Sequence, residues 1–176
     1  GKEYKVTNSQ YELDRYAPSG TAGDAPRGGN FYIAGGLVTI SGGTISGGTT
    51  TNPLAETANQ GAGIFVADGV VTVKDNSTLS GNNASGSGGA IYIANGELTI
   101  LSSTVKSNQA VESGGGVFIA SNANSSSLIR ILESTVKDNR SLNGRGGGLF
   151  NAGRDVIIER STLSGNKALG RNGPDS

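Results

Sequence analysis

The side chains that could perform acid–base or metal chemistry are few and scattered along this chain of 176 residues. It contains no Cys and no His, which excludes disulfides, thiolate zinc sites and serine–histidine triads. A glycoside hydrolase would need two carboxylates about 5 to 9.5 Å apart. The aspartates instead occupy different positions of the repeat described below: Asp14, Asp24, Asp68, Asp75, Asp138, Asp155 and Asp175. We therefore predict a protein that is not an enzyme and that needs no metal or cofactor.

Charge and hydropathy argue against nucleic acid and the membrane interior as partners. The 14 Lys and Arg residues balance the 14 Asp and Glu residues, so the net charge is zero. A strong sequence-independent attraction to phosphate is therefore not expected, and nucleic acid is not a predicted partner. No apolar run approaches the roughly 18 residues that a membrane span requires, so we predict no direct membrane insertion.

A repeat organises the chain. The pattern Ser-Thr-(Val/Leu)-x-x-Asn occurs four times, and the copies begin at Ser77, Ser103, Ser134 and Ser161. A weaker copy, GTISGG, begins at Gly43. A second, glycine-led block recurs in step with the first: GGNFYIA from Gly28, GAGIFVA from Gly61, GGAIYIA from Gly88, GGGVFIA from Gly114 and GGGLFNA from Gly146. A fixed period of this length is typical of solenoid proteins.

Each repeat holds three short apolar segments. The third segment, which lies between the two blocks, is Leu37–Ile40, Val70–Val73, Leu98–Ile100, Leu128–Ile131 and Val156–Ile158 in the five repeats. These segments are rich in β-branched residues and are bounded by Gly or Asn, which indicates strands and turns. We predict an all-β fold, a parallel β-helix (solenoid) of about five three-strand coils. Residues 28–169 form the repeats, residues 1–27 an N-terminal cap or partial coil, and residues 170–176 a C-terminal tail.

Stacked coils bring equivalent residues together about 4.8 Å apart. The aliphatic positions of the three segments are expected to form three inward columns that close a core. The asparagines that end the Ser-Thr motif are expected to form an inward structural ladder, because a side-chain amide can bond both to the next coil and to backbone at a bend. These are Asn82, Asn108, Asn139 and Asn166.

Aromatic residues also recur at one position of the glycine-led block. They are Tyr32, Phe65, Tyr92, Phe118 and Phe150. Alternation along a strand places them opposite the inward aliphatic residues, where they would form an exposed ridge about 20 Å long that suits a sugar chain or a protein. The alternative is a row that is buried, or covered by a loop.

Two insertions interrupt the period and are predicted as surface loops that contact a partner. They are residues 49–60, which include Pro53 and Leu54, and residues 121–127, which include Asn122 and Asn124.

The repeats resemble those of a known group of proteins. GGAI at Gly88, GGGV at Gly114 and GGGL at Gly146, each followed by (Val/Leu)-x-x-Asn, are similar to the repeats of chlamydial polymorphic outer-membrane proteins and of autotransporter adhesin passengers. The chain departs from that pattern at Leu79, Val105, Val136 and Leu163, where the family motif has Phe. The resemblance implies that the β-helix is right-handed and lies on a bacterial surface, often in adhesion.

These observations lead to one functional expectation and two alternatives. We expect a non-enzymatic, adhesin-like fragment of a bacterial cell-surface or secreted protein, located outside the cell, that binds a host-surface protein or glycan or a partner in a bacterial community. It is expected to be monomeric or to associate weakly end to end. The alternatives are a carbohydrate-active β-helix of the polysaccharide lyase or hydrolase type, and a purely structural spacer.

Overall fold

The computed structural model describes residues 3–7, 27–51, 59–121 and 128–170, and all regular structure within these ranges is β-strand. In these ranges no helix is long and apolar enough to cross a membrane. The first strand, β1, spans Glu3–Thr7. The remaining twenty strands fall into five coils of four strands each.

The strands follow one another in the same order in every coil. Coil 1 contains β2 (Phe31–Ile33), β3 (Leu37–Ser41), β4 (Thr44–Ser46) and β5 (Thr49–Thr50). Coil 2 contains β6 (Ile64–Val66), β7 (Val70–Lys74), β8 (Thr78–Ser80) and β9 (Asn83–Ala84). Coil 3 contains β10 (Ile91–Ile93), β11 (Glu97–Leu101), β12 (Thr104–Lys106) and β13 (Gln109–Ala110). Coil 4 contains β14 (Val117–Ile119), β15 (Ile129–Leu132), β16 (Thr135–Lys137) and β17 (Arg140–Ser141). Coil 5 contains β18 (Leu149–Asn151), β19 (Val156–Glu159), β20 (Thr162–Ser164) and β21 (Lys167–Ala168).

Equivalent strands of successive coils pair in parallel and build four sheets. The first sheet is β2-β6-β10-β14-β18, the third is β4-β8-β12-β16-β20 and the fourth is β5-β9-β13-β17-β21. The second sheet is β3-β7-β11-β15-β19, and β1 adds a sixth strand by pairing in parallel with β3. The predicted all-β parallel β-helix is confirmed, because every strand lies beside its own equivalent and not beside its neighbour in sequence.

The prediction of three strands per coil is wrong, since each coil has a fourth strand of two residues after the asparagine corner. Its inward residue is small: Thr50, Ala84, Ala110, Ser141 or Ala168. So short a segment with one small buried side chain carries no apolar pattern from which a strand can be recognised. Backbone pairing with the coils above and below creates this strand.

The core lies inside the coil and consists of aliphatic columns. The column of the first sheet includes Ile64, Ile91 and Val117, and that of the third sheet includes Leu79, Val105 and Val136, all without solvent exposure. The second sheet adds the inward column Ile40, Val73, Ile100 and Ile131. In coil 5 the equivalent residues Ile158 and Leu163 are 41% and 44% exposed. The aliphatic columns of the first four coils therefore form the buried core.

Candidate binding surface on the solenoid

The aromatic residues of the first sheet point away from the core. In β10, Ile91 and Ile93 are buried and Tyr92 between them is half-exposed, and Phe118 in β14 has the same arrangement. The parallel register aligns the five aromatic positions with one another. We call this row the aromatic ladder: Tyr32, Phe65, Tyr92, Phe118 and Phe150.

The rings of the aromatic ladder stack face to face along the solenoid axis. Successive ring centroids are 4.8 to 5.3 Å apart, and the ring planes are inclined by 7 to 19°. Both faces of Phe65, Tyr92 and Phe118 are therefore covered by neighbouring rings, and these rings present their edges to the surroundings. Sugar recognition by stacking needs a ring face, whereas apolar and aromatic side chains can pack across ring edges.

Exposure varies along the aromatic ladder. Tyr32 is 53% exposed, but Phe65 is only 3% exposed, and the guanidinium of Arg27 lies 5.2 Å from its ring centroid, within the range of a cation–π contact. Burial raises the pKa of the Tyr92 phenol, while Arg27 lowers it and Glu112 raises it. The phenol of Tyr92 therefore stays protonated at neutral pH. The ladder is solvent-facing at Tyr32 and in coils 3 to 5, and covered at Phe65.

The four residues predicted as loop contacts, Pro53, Leu54, Asn122 and Asn124, lie outside the described residues. The ends of the two insertions are described. Residue 51 directly follows β5 and residue 59 lies just before β6, while residue 121 comes just after β14 and residue 128 directly precedes β15. The first insertion thus lies between the fourth and first sheets, and the second lies between the first and second sheets. Each borders one side of the first sheet, which carries the aromatic ladder.

The asparagine ladder lies inside the corner between the third and fourth sheets. Asn82, Asn108 and Asn139 are buried. The Oδ1 atom of Asn108 accepts from the backbone N–H of Asn82 at 3.0 Å and from its Nδ2 at 2.9 Å. Asn139 does the same for Asn108, and the half-buried Asn166 does so for Asn139. Each Nδ2 also donates to a carbonyl of the preceding coil, such as Leu79 at 3.0 Å from Asn108.

Asn30 is a fifth member of this ladder that the repeat pattern does not reveal. Coil 1 has Gly48 at the ladder position, where an asparagine stands in later coils. The Nδ2 of Asn30 reaches the corner from the glycine-led block and donates to Asn82 Oδ1 at 3.2 Å and to the Ser46 carbonyl at 3.1 Å. The equivalent of Asn30 in coil 2 is Gly63, where a Cβ atom would lie 3.2 Å from the Asn82 amide. In coil 1 the corner amide therefore comes from the glycine-led block, as Asn30, and in coil 2 it comes from the end of the Ser-Thr motif, as Asn82.

A second polar ladder explains the first residue of the Ser-Thr motif. The hydroxyl of Ser134 accepts from the backbone N–H of Ser103 at 3.1 Å, and that of Ser161 accepts from Ser134 at 3.0 Å. The hydroxyls of this serine column also donate to backbone carbonyls. Ser103 donates to the Leu101 carbonyl at 2.8 Å, and Ser134 donates to the Leu132 carbonyl at 2.7 Å. Serine therefore connects coils at the corner between the second and third sheets.

Arg154 connects coils 3 and 5 at the corner between the first and second sheets. At this corner a glycine carbonyl usually accepts from a backbone N–H of the next coil. The Gly36 carbonyl accepts from the Val70 N–H, and the Gly69 carbonyl accepts from the Glu97 N–H, each at 2.8 Å. The Gly96 carbonyl accepts from the guanidinium of Arg154, which belongs to the second coil after it. The insertion at residues 121–127 lies in the intervening coil. Burial lowers the pKa of Arg154, and Glu97 acts in the opposite direction.

Some charged residues at the outer corners form ion pairs. Arg160 binds the Glu133 carboxylate through Nη2 at 2.8 Å and Nε at 3.2 Å, as the stacking of the repeats predicts. Lys74 lies 3.3 Å from Asp75. Among the described residues, no group of three or more Asp and Glu side chains is placed to hold a metal ion.

Comparison of the chain with protein-family models, with curated proteins and with solved structures found no match.

Proposed function

We propose that this chain is a non-enzymatic binding module of a bacterial surface or secreted protein, and that it adheres to a partner through the aromatic ladder. The observation that carries the proposal is the outward, continuous stack of five rings on a rigid sheet. The aliphatic core lies on the opposite face of the same strands, so these rings are not needed to fill it. The ladder exposes apolar surface at Tyr32 and partly in coils 3 to 5, and exposed apolar surface of this kind marks interaction sites.

The stacking geometry favours a protein partner over a neutral glycan. The middle rings have no free face on which a sugar could stack, because each face already contacts another ring. Ring edges carry partial positive charge and attract the faces of aromatic side chains from a partner. Since β6, β10 and β14 are paired on both sides with neighbouring coils, the middle of the ladder is ordered before binding and loses little entropy on association.

A structural spacer is the second candidate, and the same stacking favours it. Cross-strand aromatic pairs stabilise a sheet by about 0.5 to 1.5 kcal/mol each. A ladder with that role alone would stiffen the solenoid along its axis without contacting a partner.

A ladder variant with a matched control tests the proposal. Tyr92→Thr with Phe118→Thr removes two half-exposed rings and keeps residues that favour strands. Thr72→Ser with Thr99→Ser is the control, since both residues are half-exposed on the second sheet. Purified wild-type protein is applied to arrays of host-cell surface proteins and of glycans, and hits are measured by titration. We expect a protein hit that the ladder variant weakens at least about tenfold, which corresponds to about 1.4 kcal/mol, and that the control leaves unchanged.

The other outcomes contradict the proposal. Equal binding by wild type and ladder variant removes the ladder as the contact surface. Release of reducing or unsaturated ends from a polysaccharide panel establishes the enzymatic alternative. Silence on both arrays, combined with a lower unfolding midpoint in the ladder variant, supports the spacer.

A further inference from the structure

Four basic residues lie at the corner between the third and fourth sheets in coils 3 to 5. Lys106 ends β12 and Lys137 ends β16, while Arg140 begins β17 and Lys167 begins β21. Three of them are exposed and Lys137 is half-exposed. We call this set the basic corner. The asparagine ladder fixes the backbone directly behind it.

The parallel register stacks like charges on one another in the basic corner. Lys106 is the register partner of Lys137, and Arg140 is the partner of Lys167. Adjacent parallel strands are about 4.8 Å apart, and like charges directly opposite one another destabilise a sheet. Asp138 lies at the same corner and offsets part of this charge. Two stacked cation pairs side by side still leave an excess of positive charge.

Elsewhere the chain uses the same geometry to pair opposite charges. Glu133 and Arg160 occupy equivalent corner positions in coils 4 and 5 and form an ion pair at 2.8 Å. Within the part of the chain that the structure describes, the four side chains of the basic corner form no ion pair with a carboxylate. The repulsion in the basic corner would be relieved by an anionic ligand.

Hydroxyl groups border the basic corner on the third sheet. Thr104, Thr135 and Thr162 are register partners in the three coils that carry the basic residues, and each is at least partly exposed. They offer hydrogen-bond donors and acceptors next to the cations. The corner therefore presents rows of charge and rows of hydroxyls that run parallel to the solenoid axis.

We propose that the basic corner binds an acidic polysaccharide that lies along the solenoid axis. Its sulfate or carboxylate groups would contact the four cations, and its hydroxyl groups would contact the threonines. Proteins that bind single-stranded nucleic acid combine a basic groove with aromatic platforms. Here the stacked rings lie on the first sheet instead, so a polysaccharide fits the corner better. The basic corner is separate from the aromatic ladder. This proposal rests on the proposed function only in treating the chain as a binding module.

The test compares two double variants that remove the same charge. Lys137→Gln with Arg140→Gln removes two central members of the basic corner. Arg130→Gln with Arg145→Gln is the control and removes two cations outside the basic corner. Arg130 lies in β15 on the second sheet, and Arg145 lies in the turn after β17. Binding of heparin, dextran sulfate and neutral dextran is measured by titration calorimetry at several salt concentrations.

We expect wild type to bind both sulfated polymers and not dextran. The basic-corner variant should bind at least about tenfold more weakly and show a salt dependence reduced by one to two ion equivalents, because each lost contact no longer releases a counterion. The control variant should change affinity less than about threefold. The Tyr92→Thr, Phe118→Thr variant should bind like wild type, so that failure of this proposal and failure of the ladder proposal are distinguishable.

Three outcomes would overturn the proposal. Equal weakening in both charge variants would show a response to net charge alone. Absence of binding at low salt would remove the site. Tighter binding of a single-stranded oligonucleotide or of phosphatidylglycerol vesicles than of either sulfated polymer would assign the corner to another class of ligand.

Discussion

Replacing Asn108 by alanine tests whether the asparagine ladder stabilises the solenoid. The Oδ1 of Asn108 accepts from the Asn82 backbone N–H at 3.0 Å and from Asn82 Nδ2 at 2.9 Å. Its Nδ2 donates to the Leu79 carbonyl at 3.0 Å and to Asn139 Oδ1 at 2.9 Å. Asn108→Ala removes all four bonds from a residue that is 1% exposed.

The cost follows from the groups left behind. The backbone N–H of Asn82, itself 1% exposed, loses the acceptor supplied by Asn108, and a buried unsatisfied donor costs about 1 to 3 kcal/mol. The other three bonds each contribute about 0.5 to 1.5 kcal/mol net. Asn82 Nδ2 keeps its bond to the Ile45 carbonyl and so is left only partly unsatisfied, which favours the lower ends of these ranges, about 2.5 kcal/mol in total. We therefore expect a loss of about 2.5 kcal/mol in the free energy of unfolding.

Urea unfolding followed by circular dichroism measures this loss. For a slope of about 2 kcal/mol per molar urea, the midpoint should fall by about 1.25 M. Asn83→Ala is the matched control, since Asn83 directly follows Asn82 of the ladder but is exposed on β9, and its effect should stay within about 0.5 kcal/mol. If the two alanine variants unfold at the same midpoint, the ladder does not stabilise the corner.

Two further changes test other corners. Ser107 has φ +54° at a corner where Gly81 has φ +65° in the preceding coil, and a Cβ atom at Gly81 would meet no atom within 4 Å. Relief of left-handed strain, offset by the greater freedom of glycine when unfolded, should make Ser107→Gly stabilising by up to about 1 kcal/mol. Gly81→Ser should have the opposite sign, and urea midpoints that shift in the same direction in both variants would refute the backbone argument. Hydrogen bonds from Arg160 and then Ser102 lower the pKa of Glu133 below its ordinary value. The ionised Glu133 carboxylate therefore stabilises the fold above the ordinary glutamate pKa, and this stabilisation is lost as the pH falls through the lowered pKa. The difference in unfolding free energy between wild type and Glu133→Gln should shrink on acidification. A difference that is constant between pH 7 and pH 3 would contradict this linkage.

The repeat was sufficient to predict the coil, because the same motif recurs at Ser77, Ser103 and their equivalents, and stacking is the arrangement that satisfies every unit alike. The inward columns follow from alternation. The same rule allows an outward aromatic row but leaves a buried or loop-covered row as the alternative. Exposure along that row is decided by the tertiary structure. Phe65 is 3% exposed, and Arg27, 38 positions earlier in the chain, lies 5.2 Å from its ring centroid.

The sequence by itself determined the fold class, the number of coils and the alignment of the aromatic row, because each of these depends only on periodicity. The structure decided that the rings of this row point outward. Tertiary structure decided the fourth strand, which exists only through pairing between coils. It also decided the roles of Asn30 and Arg154, whose side chains act at corners of other coils. The stacking of Lys106 on Lys137 follows from the aligned Ser-Thr motifs. Tertiary structure placed Arg140 and Lys167 beside them, because those two residues lie on the fourth strand.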